Sequence, residues 1–344
     1  MIAHWQHTLE TQGANFINGS VANFGDAAAE RQYATSGPIV ADLSHLNLIQ
    51  FAGEEAQSFL QGQLSNDVRL LDGGNAQFTS YNTPKGRMLA NGLLWQSVPN
   101  TYVLQLPADL RAAIQKRLSM FVLRAKVSVS DISDDWVRLG IGGLNAEAAL
   151  AQVFGALPTA TLGLTQSSAG SVMRLPDDNF ELLIAPDQAQ SLWEKLIQQA
   201  KPVGAAGWDA LQIRAGIPTL LPATQEQFVA QMLNYELIGG VNFKKGCYPG
   251  QEIVARTQYL GKPKRRMYLA HIDASEAPQP GDELYSADLP DQATGMIVNA
   301  APSSDSGFDV LAVIQISSAV GHELHLKSIQ GPPLRLQALP YAIP

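Results

Sequence analysis

Short strand-like and helix-like segments alternate through the first 200 residues of the chain, and this alternation is absent from about Met267 onward. Apolar residues at every second position indicate strands, and apolar residues three or four positions apart indicate helices. From Met267 onward the sequence predicts only short strands and turns, with no convincing helix. The chain is therefore expected to combine α+β units with a separate β unit.

Two blocks of similar size make up the α+β part. In the first block, strands are predicted at 46–51, 101–106 and 124–130, with a short helix at 53–60 and another that begins at Pro107. The second helix carries Leu110, Ile114 and Leu118 on one face, so this stripe should pack on the sheet. In the second block, strands are predicted at 136–141 and 180–185, and helices at 145–154 and 188–200. Both blocks resemble split βαβ, ferredoxin-like domains.

The third block predicts a small β-barrel. Turn-forming sequences lie at 278–282 and 303–307, and strands are predicted at 310–316 and 323–327. We place the domain boundaries at 1–130, 131–266 and 267–344, with the first two domains free to interleave. A length of 344 residues agrees with two or three domains.

Composition restricts the classes of protein to which the chain can belong. Hydrophobic residues make up 46% and charged residues 16%, which is typical of a folded chain. No apolar run approaches the ~20 residues that span a bilayer, and the N-terminus has no signal-peptide pattern. With a single cysteine, the sequence predicts a reducing cytoplasm and no membrane partner.

Positive charge is concentrated in one window, 244–266. Seven basic residues and one acid give this window a charge of +6, while the whole chain carries −8, so the remainder carries −14. A local positive field on an acidic body favours one anionic partner at one place. The alternative is a solvated turn between domains. The acidic whole, with no RNA-binding module, weighs against direct tRNA binding.

The only cysteine, Cys247, lies in the most specific local pattern, Lys-Gly-Cys-Tyr-Pro-Gly-Gln-Glu at 245–252. One thiol cannot form an internal disulfide or hold a zinc ion or a cluster alone. Lys244 and Lys245 would favour the thiolate, while Gly246 and Gly250 permit unusual backbone conformations. The alternative is a tight turn in which the cysteine only packs.

The rest of the motif offers polar groups beside the thiol. Gln251 and Glu252 present an amide and a carboxylate, which could recognise a heteroaromatic edge or a metal, and Arg256 is free to bind an anion.

Two further segments are candidates for binding. Pro-Lys-Gly-Arg at 84–87 is a hairpin turn by composition, and its basic residues could hold a carboxylate or phosphate. Trp208 precedes a predicted short helix and could stack on a flat ring, although a core tryptophan is the simpler interpretation. The sequence contains no GxGxxG, P-loop, GxSxG or HExxH motif.

Together these motifs resemble the YgfZ family of folate-binding proteins, which are related to the aminomethyltransferase of the glycine cleavage system. The resemblance covers nearly the whole chain. The cysteine motif is highly specific, and supporting matches lie at 61–68, 84–87, 215–218 and 339–341.

This resemblance implies a three-domain ring around a central hole that holds tetrahydrofolate. It also implies an accessory role in assembling or repairing iron–sulfur clusters in client enzymes, including the radical-SAM enzyme that methylthiolates tRNA. The expected partners are folate and these client enzymes or cluster carriers. Cys247 would be the functional thiol, a candidate transient cluster ligand, and no other metal site is predicted. The other loop residues are Lys245, Gly246, Tyr248, Gly250, Gln251, Glu252 and Arg256; the folate-binding candidates are Trp208, Asn66, Asp67, Tyr81, Lys85 and Glu181.

Two departures from the relatives matter. Leu46 falls near a position where some relatives carry a second tryptophan, and no carboxylate follows Gly86 where the aminomethyltransferase has its catalytic Asp. Asn91, in the same stretch, could form a hydrogen bond but could not replace a full negative charge. Aminomethyltransferase activity is therefore not expected. The alternative enzymatic function is a folate-dependent one-carbon transferase or demethylase, with Glu252 or Asp67 as the acid/base group.

Overall fold

A computed structural model describes residues 1–167, 170–261 and 263–343. The described residues form nine α-helices and nineteen β-strands. The helices are α1 (Ala3–Thr11), α2 (Ala27–Ser36), α3 (Ala56–Gln61), α4 (Ala108–Met120), α5 (Ala146–Phe154), α6 (Pro186–Leu196), α7 (Ala205–Arg214), α8 (Gln251–Tyr259) and α9 (Ile316–Gly321).

The strands fall into three large sheets and one small hairpin. They are β1 (Asn15–Ile17), β2 (Ser20–Asn23), β3 (Pro38–Asp42), β4 (Leu46–Ala52), β5 (Ala76–Asn82), β6 (Met88–Val98), β7 (Thr101–Pro107), β8 (Ser128–Asp131), β9 (Val137–Gly143), β10 (Leu164–Ser167), β11 (Gly170–Arg174), β12 (Phe180–Ile184), β13 (Lys201–Val203), β14 (Arg265–Ile272), β15 (Glu283–Ser286), β16 (Gly295–Pro302), β17 (Phe308–Gln315), β18 (Leu324–Leu326) and β19 (Leu334–Gln337).

The first sheet has the order β5-β6-β7-β4-β8 and is antiparallel throughout. Helix α4 packs beside it with Leu110, Ile114 and Leu118 buried, as the apolar stripe predicts. The predicted strand at 124–130 begins later, at Ser128, because the chain turns after α4 and Leu123 adopts a left-handed conformation with φ of 48°.

The second sheet has the order β10-β11-β12-β9-β3-β13. Strand β3 pairs antiparallel with β9 and parallel with β13, so residues 38–42 lie in the same sheet as strands that follow residue 136. The α+β units therefore interleave. Helix α6 begins at Pro186 and ends at Leu196, shorter than the predicted 188–200, and it buries Trp193 and Leu196.

The third sheet, β18-β15-β16-β17-β14-β19, is antiparallel and curled. His325 of β18 bridges Pro333, just before β19, so the two ends of the sheet approach each other as in the predicted barrel. The prediction of no helix here was wrong for α9. Its six residues are too few to show an apolar period in the sequence.

One extended segment, 217–221, joins these units. The side-chain amide of Asn91 in β6 donates to the carbonyl of Pro218 at 2.7 Å and accepts from the Leu220 amide at 2.8 Å. Asn299 in β16 makes the same pair of bonds to Thr219, at 2.9 and 2.8 Å. The first sheet and the curled sheet therefore hold successive residues of the same buried backbone.

The helices were also compared with the length of a bilayer span. Among the described residues, none of them forms an apolar segment long enough to traverse a membrane.

Candidate functional site

The cysteine loop docks on the segment at 61–65. The Lys245 ammonium donates to the carbonyls of Gln61, at 2.7 Å, and Leu64. The backbone amide of Asn242 bonds the Ser65 carbonyl at 3.0 Å. Two of the five sequence blocks that carry the family resemblance, 245–252 and 61–68, therefore meet here.

The hairpin turn at 83–87, which contains the block at 84–87, packs against the other end of the loop. Gly250 has φ of 81°, and a Cβ atom on it would lie 2.5 Å from the Thr83 carbonyl oxygen and 2.6 Å from the Gly86 Cα. Gly86 has φ of 73° and faces Ile253 of α8 in turn. Both glycines are required by conformation and by space, because the two backbones touch.

Within this loop Cys247 is exposed, while Tyr248 is buried. The Lys245 ammonium lies 4.8 Å from the centre of the Tyr248 ring. Burial lowers the pKa of Lys245 to about 8, and the nearby Asp67 opposes this shift. The Lys245 charge therefore serves to anchor the loop through two carbonyls and one aromatic ring. Lys244 lies exposed beside it.

Helix α8 starts directly after Gly250 and carries the rest of the motif. Gln251 is half-buried, whereas Glu252 and Arg256 are exposed. Groups of three or more metal-ligating side chains are absent from the part of the chain that the structure describes. Of the basic window, Lys245 and Arg266 are buried, whereas Lys244, Arg256 and Lys264 are exposed; Lys262 lies outside the described residues.

Asn66 and Asp67 are buried beneath the loop. The Asn66 amide donates to the carbonyls of Phe78, at 2.8 Å, and Gly239, at 2.7 Å. Asp67 pairs with the Arg69 guanidinium at 2.6 Å. That hydrogen bond, opposed by burial, lowers the pKa of Asp67 to about 2. Both side chains therefore bond to neighbouring residues and stabilise the backbone on which the cysteine loop packs.

A cavity of about 460 Å³ lies where the three units meet. Its walls include Gln105 from the first sheet, Glu181 and Trp208 from the second unit, and Asn299 from the curled sheet. This volume is within the range of small-molecule sites. Of the six folate-binding candidates, the cavity brings together Trp208 and Glu181. Leu46, at the position of the missing tryptophan, also lines it.

The other four candidates lie outside this cavity. Phe78, Leu93 and Gln105 form a row across three strands on the cavity face. Tyr81 is three residues beyond Phe78, so its side chain points to the opposite face. There it lies beneath the Arg117 guanidinium of α4, 6.0 Å from the ring centre. Lys85 is exposed at the hairpin turn.

Several buried polar atoms around the cavity have no hydrogen-bond partner within the described residues. Gln105 Nε2 donates to Glu181 Oε2 at 2.9 Å, which leaves Gln105 Oε1 and Glu181 Oε1 unpaired. Gln212 Nε2 is also unpaired. Buried polar atoms are usually bonded, so this cluster indicates a place for a ligand with its own donors and acceptors.

Glu181 and His45 are two of the ionisable groups in the wall that have shifted pKa values. Burial raises the pKa of Glu181 to about 7, although Gln105, Arg138 and His45 oppose the shift. Burial lowers the pKa of His45, but Asp209 and the other nearby carboxylates outweigh it, and the net pKa is raised. His45 Nε2 lies 3.5 Å from Asp209 Oδ1. With its pKa at about 7, Glu181 can therefore exchange a proton near neutral pH.

Trp208 forms part of α7, whereas the sequence placed it before a helix. It is buried, and its ring lies so close to Gly140 that a Cβ there would approach the indole to 2.5 Å. The tryptophan is thus both a core residue and a wall of the cavity, which joins the two interpretations left open by the sequence.

His45, Gln105, Asp209 and Gln212 are cavity residues that the sequence analysis missed. Gln105 is a polar residue between Leu104 and Leu106 in the inner strand β7, and this was the available signal. His45 and Asp209 have no such signal, since they meet only through the pairing of distant segments.

Comparison with known proteins identifies the family. A family model described as the GCVT N-terminal domain matches residues 3–220. The tRNA-modifying protein YgfZ of Yersinia pestis (strain Pestoides F) is 31% identical over 321 residues, which cover 92% of this chain and 97% of that protein. The chain belongs to the YgfZ family. YgfZ of Sodalis glossinidius (strain morsitans) is also 31% identical, over 86% of this chain and 90% of its own length.

The chain also shares its fold with a solved aminomethyltransferase. The glycine cleavage system aminomethyltransferase T from Bartonella henselae superposes with a TM-score of 0.81 at 19% identity, covering 99% of this chain and 97% of that one. The predicted α+β, aminomethyltransferase-like fold with a barrel-like C-terminal sheet is thereby confirmed.

Docking of the cysteine loop should depend on the absence of a side chain at Gly250. Gly250→Ala places a Cβ against the Thr83 carbonyl in a left-handed conformation, so we expect the free energy of unfolding to fall by about 1–3 kcal/mol. Chemical denaturation measures this change, with Gly246→Ala as the control, because nothing lies within 4 Å of a Cβ at Gly246. Equal stability of both variants would contradict the packing described for Gly250.

The raised pKa of Glu181 should appear in the pH dependence of stability. The folded state binds this proton more tightly than the unfolded chain, whose carboxyl titrates near 4.5, so stability falls as pH rises from 4.5 to about 7 and is then constant. In Glu181→Gln this decline is absent. The difference in free energy of unfolding between the wild type and this variant should therefore change by roughly 3 kcal/mol across that interval. Denaturation at several pH values, with exposed Glu194→Gln as control, tests this; parallel curves would contradict it.

Proposed function

We propose that the protein binds tetrahydrofolate in the central cavity and supports iron–sulfur cluster assembly or repair in client enzymes, including the one that methylthiolates tRNA. Cys247 is the working thiol. The relatives at 31% identity are named tRNA-modifying proteins, which supports the tRNA-modification role. The proposal places the protein in the cytoplasm, with client enzymes or cluster carriers as its partners.

The unpaired polar cluster in the cavity carries the folate part of this proposal. A pterin ring presents adjacent N–H donors on one edge and apolar faces above and below. Glu181 can accept two hydrogen bonds from such an edge, and Gln105 Oε1 offers a further acceptor. Phe78, Leu93 and Trp208 supply apolar wall beside them. The residues present therefore fit the pteridine part of the ligand.

Folate binding would be linked to the ionisation of Glu181. An accepting carboxylate must be ionised, while burial holds its pKa near 7 in the free protein. Donors from the ligand would stabilise the charged form and release the proton. Affinity would accordingly increase as pH rises through 7.

The glutamate tail of folate would lie outside this cavity. Among the described residues, no Lys or Arg lines the cavity, and Asp109 and Asp209 lie in its wall. An anionic tail gains nothing from such walls. The interior therefore suits the neutral ring system.

Folate and Cys247 would act without direct transfer between them. The cysteine loop lies against the segment at 61–65 and the hairpin turn at 83–87, and no residue of 244–252 lines the cavity. This arrangement supports a role of folate as a ligand that stabilises the assembled conformation, rather than as a one-carbon donor to the thiol.

The alternative function is a folate-dependent one-carbon transferase or demethylase. The acid/base groups expected for it, Glu252 and Asp67, do not line the cavity, and Asp67 is committed to Arg69. The observation that favours it is the pair of His45 and Asp209 in the wall. This alternative function predicts that the purified protein turns over a methyl donor when tetrahydrofolate is the only other component.

Calorimetric titration with tetrahydrofolate tests the cavity. We expect saturable binding by the wild type, and at least tenfold weaker binding by Glu181→Gln because one charge-assisted pair is lost. Trp208→Ala should also weaken binding, once near-ultraviolet circular dichroism confirms its folding. Exposed Glu194→Gln on α6 should bind as the wild type does. A well-folded wild type that shows no binding would exclude the folate part of the proposal.

The thiol is tested in a bacterium that lacks its own YgfZ protein. Expression of the wild-type chain should restore methylthiolated nucleosides in tRNA, measured by mass spectrometry, and Cys247→Ala and Cys247→Ser should not, because neither side chain supplies a thiolate. Exposed Lys195→Ala is the matched control. Full restoration by both cysteine variants would exclude a thiol mechanism.

A further inference from the structure

Helix α8 and Leu260, the residue that follows it, present large apolar side chains to solvent after the cysteine loop. Leu260 is 85% exposed, Tyr259 68% and Ile253 37%. On the opposite side of the helix Val254 is fully buried. Positions 253, 256 and 260 follow the spacing i, i+3, i+7, so they share one outward face. We call Lys244, Ile253, Arg256, Tyr259 and Leu260 the α8 face.

This helix is held in a fixed orientation. Gln231 Nε2 donates to the Val254 carbonyl at 2.8 Å from beneath. The close contact of Gly250 with Gly86 fixes the first turn. Near the last turn the Tyr259 ring meets Phe243 edge-on, with centres 5.9 Å apart. The exposed apolar groups are thus displayed on a built surface, and such patches mark interaction sites.

Exposed basic residues flank the apolar groups along the chain. Lys244, Arg256 and Lys264 are exposed, and none forms an ion pair among the described residues. Glu252 is the only acid in the 244–266 window, while the rest of the chain carries −14. A basic patch on an acidic body attracts a partner with local negative charge and fixes its orientation.

We propose that the α8 face docks a folded protein whose contact surface is an apolar hollow rimmed by carboxylates. This inference rests on the proposed function, and the partner is the iron–sulfur protein that function requires. Cys247 is exposed in the loop that leads into the same helix, four residues before Gln251. Docking on the helix therefore brings the partner's cluster site to the thiol.

A protein partner suits this face better than a nucleic acid. Ile253 and Leu260 offer nothing to a phosphate backbone, and one tyrosine does not form a stacking platform. The −14 on the rest of the chain would repel an extended polyanion. An apolar centre with a charged rim is the usual composition of a protein interface.

The test measures binding of the full-length protein to a purified, cluster-loaded radical-SAM tRNA-methylthiolating enzyme and to a purified cluster carrier. With at least one of them we expect binding that weakens as salt increases. Arg256→Glu should weaken it at least tenfold and reduce its salt dependence, and Tyr259→Ser/Leu260→Ser should weaken it to a similar degree. Matched controls are Lys195→Glu on α6 and Val320→Ser on α9, both exposed and elsewhere.

The same variants are assayed for restoration of methylthiolated tRNA in cells. Failure of the wild type would count against the proposed function itself. If the wild type and the α8-face variants restore methylthiolated tRNA equally, the docking proposal is overturned and the proposed function is not.

Two other occupants would also overturn the proposal. Concentration-dependent self-association of the purified protein, lost in Tyr259→Ser/Leu260→Ser, would assign the face to a second copy. Binding of deproteinised tRNA, lost in Arg256→Glu, would assign it to RNA. The proposal requires that neither of these results is found. It also requires that the α8-face variants lose binding to the iron–sulfur protein.

Discussion

The burial of one short backbone segment holds this molecule together. Residues 217–221 run between the first sheet and the curled sheet, where their amides and carbonyls are shielded from water. Unpaired, these groups would carry a large desolvation cost. Asn91 and Asn299 satisfy successive residues from opposite sides, in the manner of a neighbouring strand. The central cavity has a wall because this segment is fixed.

The same arrangement explains the absence of a catalytic carboxylate near the cavity's first sheet. Asn91 lies in the cavity wall, but both ends of its amide are occupied by Pro218 and Leu220. An aspartate at this position could accept a bond but could not donate one to the Pro218 carbonyl. The residue that the sequence analysis compared with a catalytic acid is therefore a structural amide. Ionisable groups reach the cavity instead from α4, α7, β12 and the turn between β3 and β4.

Most of the local structure could be predicted from the sequence, because it depends on local patterns. The stripe on α4 and the strands at 46–51 and 101–106 are defined by apolar spacing within a few residues. The cysteine loop was recognised from its glycines, and the structure gives Gly250 a conformational reason. The features that the sequence did not predict depend on contacts between segments that are far apart in the chain. The contact of Lys245 with the carbonyls of Gln61 and Leu64 joins segments about 180 residues apart, and no local pattern reports it.

The interleaving of the second sheet has a consequence for how the chain acquires its fold. Strand β3, at residues 38–42, has β9 and β13 as neighbours, and β13 ends at Val203. During synthesis this strand must wait while more than ninety residues emerge before its first neighbour exists. The first sheet, whose strands all lie between 46 and 131, can form in that interval. Its early formation would shorten the loop that β3 must close, which lowers the entropic cost of the later pairing.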